Sequence, residues 1–142
     1  MLPGAARHGV DHLVAVKEYV AHGEAVRLQC GADVLLMLQW DNPSEAGNLP
    51  GKLFEYLGAR RPILALGYEG GEMARIIRER GAGVCSSKPR VISAELMGWL
   101  QARRGRGAIR ALSDSASSGL TREEQFRGLG TFLGQLNVKI RS

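Results

Sequence analysis

The sequence predicts an α/β fold built around a parallel sheet, and three observations carry that expectation. Apolar runs of strand length at 34–38 and 62–66 alternate with stretches of helical period. Both runs are continuous rather than alternating, as in strands covered on both faces. The links between them are short and rich in Gly, Pro and Asn. Strands that alternate with helices through short links form right-handed βαβ units, and hence a parallel sheet.

In chain order, residues 13–16, Leu-Val-Ala-Val, make a first short strand. A helix follows from His22 or Gly23 to about Cys30, with Ala25, Val26 and Leu28 toward its buried side. The run 34–38 is the second strand, and residues 39–51 are a polar loop. A helix starts near Asn48 to Pro50, since a first-turn Pro gives up an N–H that has no partner anyway. Gly58 ends this helix, with Pro62 just beyond. Residues 62–66 are the third strand. The next helix, about 71–80, lines its inner face with Met73, Ile76 and Ile77, and Gly81 stops it. Gly83, Val84 and Cys85 form the last strand. Ser93 caps a helix whose Leu96, Met97 and Leu100 face inward. Residues 105–120 read as an irregular connection with a helical turn at 108–112. Thr121-Arg-Glu-Glu124 is a capping box. It opens a C-terminal helix over 121–138 with Phe126, Leu129, Phe132, Leu133 and Leu136 on one face. Gly128, Gly130 and Gly134 each weaken that helix by about 1 kcal/mol relative to Ala, so it needs a surface to pack on.

The 142 residues suffice for one domain spanning 1–142, and 44% hydrophobic content is ordinary for a globular chain. No apolar run reaches the ~18 residues of a spanning helix, and MLPGAARHGV lacks a signal-peptide pattern. A cytoplasmic location is expected, possible contact being with the inner face of the membrane. Cys30 and Cys85 read as two buried, reduced thiols. His8, His12 and His22 have no metal-ligand spacing, so no metal is expected. The net charge is +5, and Arg103, Arg104, Arg106 and Arg110 cluster in one stretch. No aromatic residues interleave with them as in single-strand binders, and a basic helix end complementing its dipole is the favoured reading over a nucleic-acid partner.

The segment 32–66 carries the chemistry. It sets the N-terminus of a helix at the carboxyl end of a strand, where open α/β sheets bind nucleotides and other anions. Gly47 and Gly51 leave room for a ligand to approach the backbone. The N–H groups of Asn48 and Leu49 would point at a diphosphate. Lys52, a cation in the first turn, opposes the helix dipole, which a bound phosphate would explain. Lys52 and Glu55 share a helix face, and Glu55 suits two ribose hydroxyls. The alternative is an exposed Lys–Glu pair beside an ordinary turn. Asp41 and Glu72 sit at strand-end loops, Trp40 flanks the cleft or covers the sheet, and Phe54 and Tyr56 read as core.

The residues ADVLLML, GNLPGKLFEYLGARRPILAL and GYEGGEMARIIRERGAGV, in that order, resemble the carboxyl-terminal domain of retaining glycosyltransferases with the two-Rossmann (GT-B) architecture. The resemblance covers about 10–86, and SGLTREEQFRGLGTFLGQL is similar to the family's closing helix. It implies a partial Rossmann-like parallel sheet of about four strands with flanking helices, binding a UDP- or GDP-sugar donor for transfer to a saccharide or lipid-linked acceptor. It assigns Glu55 to the donor ribose, the amides around Gly47, Asn48 and Leu49 to the diphosphate, and Lys52 to the basic position of the GK-x-x-E motif. Glu45 stands in for the first Glu of the family's E-x7-E pattern, although nine residues separate it from Glu55 and position 47 is Gly. No cofactor is implied. The family's first strand, basic pair and acceptor domain are expected to precede Met1, so turnover by this chain alone is not expected. A reading from another class is a non-catalytic module that docks through its sheet edge and last helix.

Overall fold

The computed structural model describes residues 3–140. The chain is α/β, with a small open parallel sheet of three strands and flanking helices. Its helices are α1 (Pro3–Arg7), α2 (His22–Gly31), α3 (Gly51–Ala59), α4 (Glu72–Glu79), α5 (Pro89–Arg106) and α6 (Arg122–Ile140). Its strands are β1 (Leu35–Leu38), β2 (Ile63–Leu66) and β3 (Gly83–Cys85), in spatial order β1-β2-β3. Among the described residues no helix is long and apolar enough to cross a membrane.

The fourth strand expected at 13–16 is absent. Leu13 closes a 3-10 turn, Asp11–Leu13, and the residues after it run exposed and outside any ladder. An apolar tetrapeptide bounded by Lys17 and Glu18 gains a strand's stability only from a neighbouring strand and a covered face.

β2 is the centre of the sheet. Ile63 pairs with Leu35 on one side and Gly83 on the other, and Ala65 with Met37 and Cys85. These rows face the core, where Leu53, Tyr56 and Leu57 of α3 meet Met73 and Ile77 of α4. β1 is therefore not buried on both faces as its unbroken apolar run predicts. Leu35 and Met37 are buried, while Leu36 and Leu38 are 52% and 69% exposed. Among the described residues the other edge of β1 has no partner strand, although the Tyr56 hydroxyl donates to the Leu36 carbonyl at 3.2 Å.

The start of β3 leaves no room for a side chain against β2. Gly83 has φ +139°, and a Cβ there would lie 2.0 Å from the Ile63 carbonyl oxygen. Its neighbour Ala82 is fully buried and accepts the Ile63 N–H at 2.8 Å.

Helix ends differ from expectation where tertiary contacts decide them. α3 starts at Gly51 with Pro50 as its N-cap, and it runs through Gly58. Its C-cap is Arg60, held at φ 58° in the left-handed region that a non-glycine residue enters at a cost. Two bonds from the guanidinium to the Leu112 carbonyl (3.1 and 2.9 Å), an ion pair with Asp114 and a bond from the Leu112 N–H to the Arg60 carbonyl offset that cost. These contacts also explain why Leu112 and Ala116, in the connection expected to be irregular, are buried in the core. The connection contains a 3-10 turn, Asp114–Ala116, and no turn of helix at 108–112. α4 matches its expected face, with Met73 and Ile77 buried and Gly81 in the left-handed conformation after its end.

α5 starts at Pro89, one turn before Ser93, so Ser93 is not its cap. Ile92, Glu95, Trp99 and Ala102 form the more covered stripe, and Leu96, Met97 and Leu100 point outward, the reverse of the expected orientation. Arg103, Arg104 and Arg106 occupy its last turn, and Arg103 reaches Asp33 before β1. On α2, Val26 and Leu28 are exposed, and Cys30, expected to be buried, is exposed too. Thr121 and Glu124 exchange the capping-box bonds, at 3.2 and 3.0 Å. The apolar face of α6 is open, with Phe126, Leu129, Phe132 and Leu133 all exposed; Leu136 lies outside the residues whose side chains are described.

Gly83→Ala is expected to destabilise the fold by about 3 kcal/mol or more, because the added carbon meets backbone that cannot yield. Gly98→Ala, in the middle of α5 where a Cβ meets nothing within 4 Å, should stabilise it by about 1 kcal/mol. Urea denaturation midpoints of the two variants against the parent check both signs.

Candidate functional site

The carboxyl ends of the three strands and the loop between β1 and α3 form one surface. The loop is shaped locally by an Asx turn, in which Asn42 Oδ1 accepts the Ser44 N–H at 2.9 Å and Pro43 leads a 3-10 turn, Pro43–Glu45. It is braced from below by two glycines. A Cβ on Gly67 would lie 3.0 Å from that of Gln39, and one on Gly71 would lie 3.2 Å from the Ala46 carbonyl. That carbonyl accepts the N–H of Glu72 at the start of α4 (2.8 Å).

Within the loop, both backbone groups and the side-chain amide nitrogen of Asn48 are engaged. Its N–H donates to the Glu45 carbonyl (2.9 Å), its side-chain amide donates to Glu45 Oε2 (2.7 Å), and its carbonyl accepts from Gln39 Nε2 (3.1 Å). The Asn48 N–H is therefore not available to an anion, contrary to the sequence expectation. Among the described residues nothing accepts from the N–H groups of Leu49, Gly51 and Lys52, which places the unbonded donors at the actual start of α3.

A cleft of about 540 Å³ opens beside this loop, lined by Leu38, Gln39, Trp40, Glu45, Asn48 and Pro50. Trp40 is 79% exposed, on the rim rather than over the sheet. The structure thus brings Glu45 and Asn48 together, with Gly47 between them in the chain. Lys52 and Glu55 lie outside the lining of this cleft. Glu55, one turn into α3, is exposed and accepts from Gln29 Nε2 of α2 at 3.3 Å. Phe54 is partly exposed, not core, whereas Tyr56 is buried. Glu72 pairs with Arg75, which also holds Glu79, so it belongs to a helix-surface ion network.

A second polar cluster at the same end of the sheet was not singled out from the sequence. Glu69, after β2, accepts from the Ser86 hydroxyl (2.6 Å) and from Lys88 Nζ (2.7 Å), and the buried Ser86 Oγ accepts the Lys88 N–H (3.1 Å). The Lys88 hydrogen bond, then that of Ser86, holds the Glu69 carboxyl below its ordinary range, while the same carboxylate raises Lys88. Burial, with Glu69 and Asp41 nearby, pushes the Cys85 thiol up to about 11, so it is a weak nucleophile at neutral pH. The sequence signal for this cluster was a Glu and a Lys each placed just after a strand.

No family model matches the chain, and no curated protein or solved structure matches it either.

Because the folded-state pKa of Glu69 lies below its ordinary 4.5, its contribution is complete above that value and is lost as pH falls through the folded one. The difference in urea midpoint between parent and Glu69→Gln is expected to be constant near neutrality and to shrink below about pH 4.5.

Proposed function

We propose that this chain binds the nucleotide-sugar donor, a UDP- or GDP-sugar, of a retaining glycosyltransferase with two-Rossmann architecture. On this reading its sheet is part of a Rossmann-like donor domain. The observation that carries the reading is the start of α3. A helix of nine residues presents unbonded N–H groups at the carboxyl end of β1, next to a cleft. That position in a parallel sheet attracts phosphates through the helix dipole and the free donors. The GK-x-x-E order supports it further, since Lys52 lies in the first turn and Glu55 one turn later.

In this proposal the N–H groups of Leu49, Gly51 and Lys52 take the diphosphate, and Lys52 adds charge. Gly47 keeps the loop open, and the ribose hydroxyls displace Gln29 from Glu55. Glu45, fixed by Asn48, faces the sugar from the cleft. Transfer to a saccharide or lipid-linked acceptor then requires a second, acceptor-binding unit, so the activity assigned to this chain is donor binding rather than turnover.

Calorimetric titration with UDP and GDP is expected to give saturable heat, with Glu55→Ala weakening binding at least about tenfold, equivalent to ~1.4 kcal/mol. No heat up to millimolar nucleotide would overturn the proposal.

The exposed apolar face of α6 and the unpaired edge of β1 favour a second reading, a module that docks onto another protein. Size-exclusion chromatography with light scattering separates the two: a stable oligomer indifferent to UDP would favour docking, and a nucleotide-binding monomer the donor site.

A further inference from the structure

A different cleft, of about 530 Å³, lies at the amino ends of the strands, across the sheet from the proposed donor site. Pro62 and Gly83, at the starts of β2 and β3, form its floor. Glu95 and Trp99 of α5 line one side, and Arg110 and Leu112 the other. Its volume falls within the ~300–1,000 Å³ of small-molecule sites.

The far wall is tied in place. Arg60 holds the Leu112 carbonyl with two hydrogen bonds and pairs with Asp114, so its own charge is neutralised. Arg80 secures the chain just beyond by donating to the carbonyls of Ala116 and Ser118 at 2.8 and 3.0 Å. Two charges on the lining remain. Among the described residues, Glu95 and Arg110 form no ion pair with each other or with any other group. Trp99 stands beside Glu95 on the same face of α5 and is half-buried.

Opposite charges that share a cleft without neutralising one another complement a ligand carrying both signs. A ligand of one sign would cover the other charge without replacing its lost water. The flat indole face complements a flat apolar group. We propose that this cleft binds a small zwitterion of the α-amino-acid type with an aromatic side arm. Its carboxylate lies on Arg110, its ammonium on Glu95 and its ring against Trp99.

The probe is L-phenylalanine, added to the intact chain labelled with ¹⁵N. The two tryptophans give two indole N–H signals in the NMR spectrum, one for each cleft. The Trp99 signal should shift saturably while the Trp40 signal stays. 3-Phenylpropionate, without the ammonium, and 2-phenylethylamine, without the carboxylate, should each bind at least about tenfold more weakly. Arg110→Ala should weaken phenylalanine to a similar degree. Glu95→Gln should weaken phenylalanine but not 3-phenylpropionate, a selectivity that general loss of structure would not produce. A Trp99 signal unmoved at millimolar phenylalanine, a shift at Trp40 instead, or equal binding of the three probes would overturn the proposal. So would phenylalanine binding unaffected by Arg110→Ala. None of these outcomes depends on whether nucleotide binds at the opposite end.

Discussion

The contact on which the rest of the fold depends is the approach of Gly83 to Ile63. With no side chain in the way, β3 starts against the backbone of β2 in a conformation that has no room for a Cβ. Three consequences follow from that single proximity. Ala82 is pulled fully into the core beside Ile77. β2 becomes a strand paired on both sides, whose inward residues are completely buried. The end of β3 is carried to the level at which Ser86 and Lys88 meet Glu69. The polar surface at the carboxyl end of the sheet thus owes its alignment to a steric condition at the amino end.

α3 links the two ends. Its start carries the unbonded amides, and its C-cap, Arg60, is locked in a left-handed conformation by the 112–114 segment. Glycine commonly serves at such a cap because it has no Cβ penalty. Arginine serves here because its guanidinium reaches Leu112 and Asp114, converting a local strain into a tether for a segment that would otherwise be loose. The same clamp builds one wall of the amino-end cleft, so one side chain shapes both the helix end and the cavity below it.

How much could be read in advance follows from the range of the forces involved. β1, β2, β3, α4 and the capping box were legible because their signals are local: apolar runs, Pro62, Gly81, and the Thr121–Glu124 reciprocity. The sequence could not reveal that Leu36 and Leu38 would be left uncovered or that Leu96, Met97 and Leu100 would face outward, since an apolar stripe does not say which neighbour covers it. The Val-Ala-Val stretch failed as a strand for the same reason: β-propensity stabilises only where a ladder exists. In the candidate site the loop and its helix were legible from Gly, Pro and Asn. Which amides stay free was not, because one hydrogen bond from Asn48 to Glu45 decides it. The contacts of Glu69 with Ser86 and Lys88 join residues 17 and 19 apart in the segments that follow two different strands, beyond the reach of any local pattern.

The hydroxyl of Tyr56 has a consequence for how the chain behaves in a crowd. An open strand edge is a template on which identical chains can stack, each unpaired carbonyl inviting an amide from a neighbour. By donating to the Leu36 carbonyl, Tyr56 occupies an acceptor in the middle of β1. A second molecule seeking to extend the sheet there must compete with that bond for the same carbonyl. A side chain whose ring belongs to the interior thereby takes up one of the acceptors on which self-templated pairing at this edge would depend.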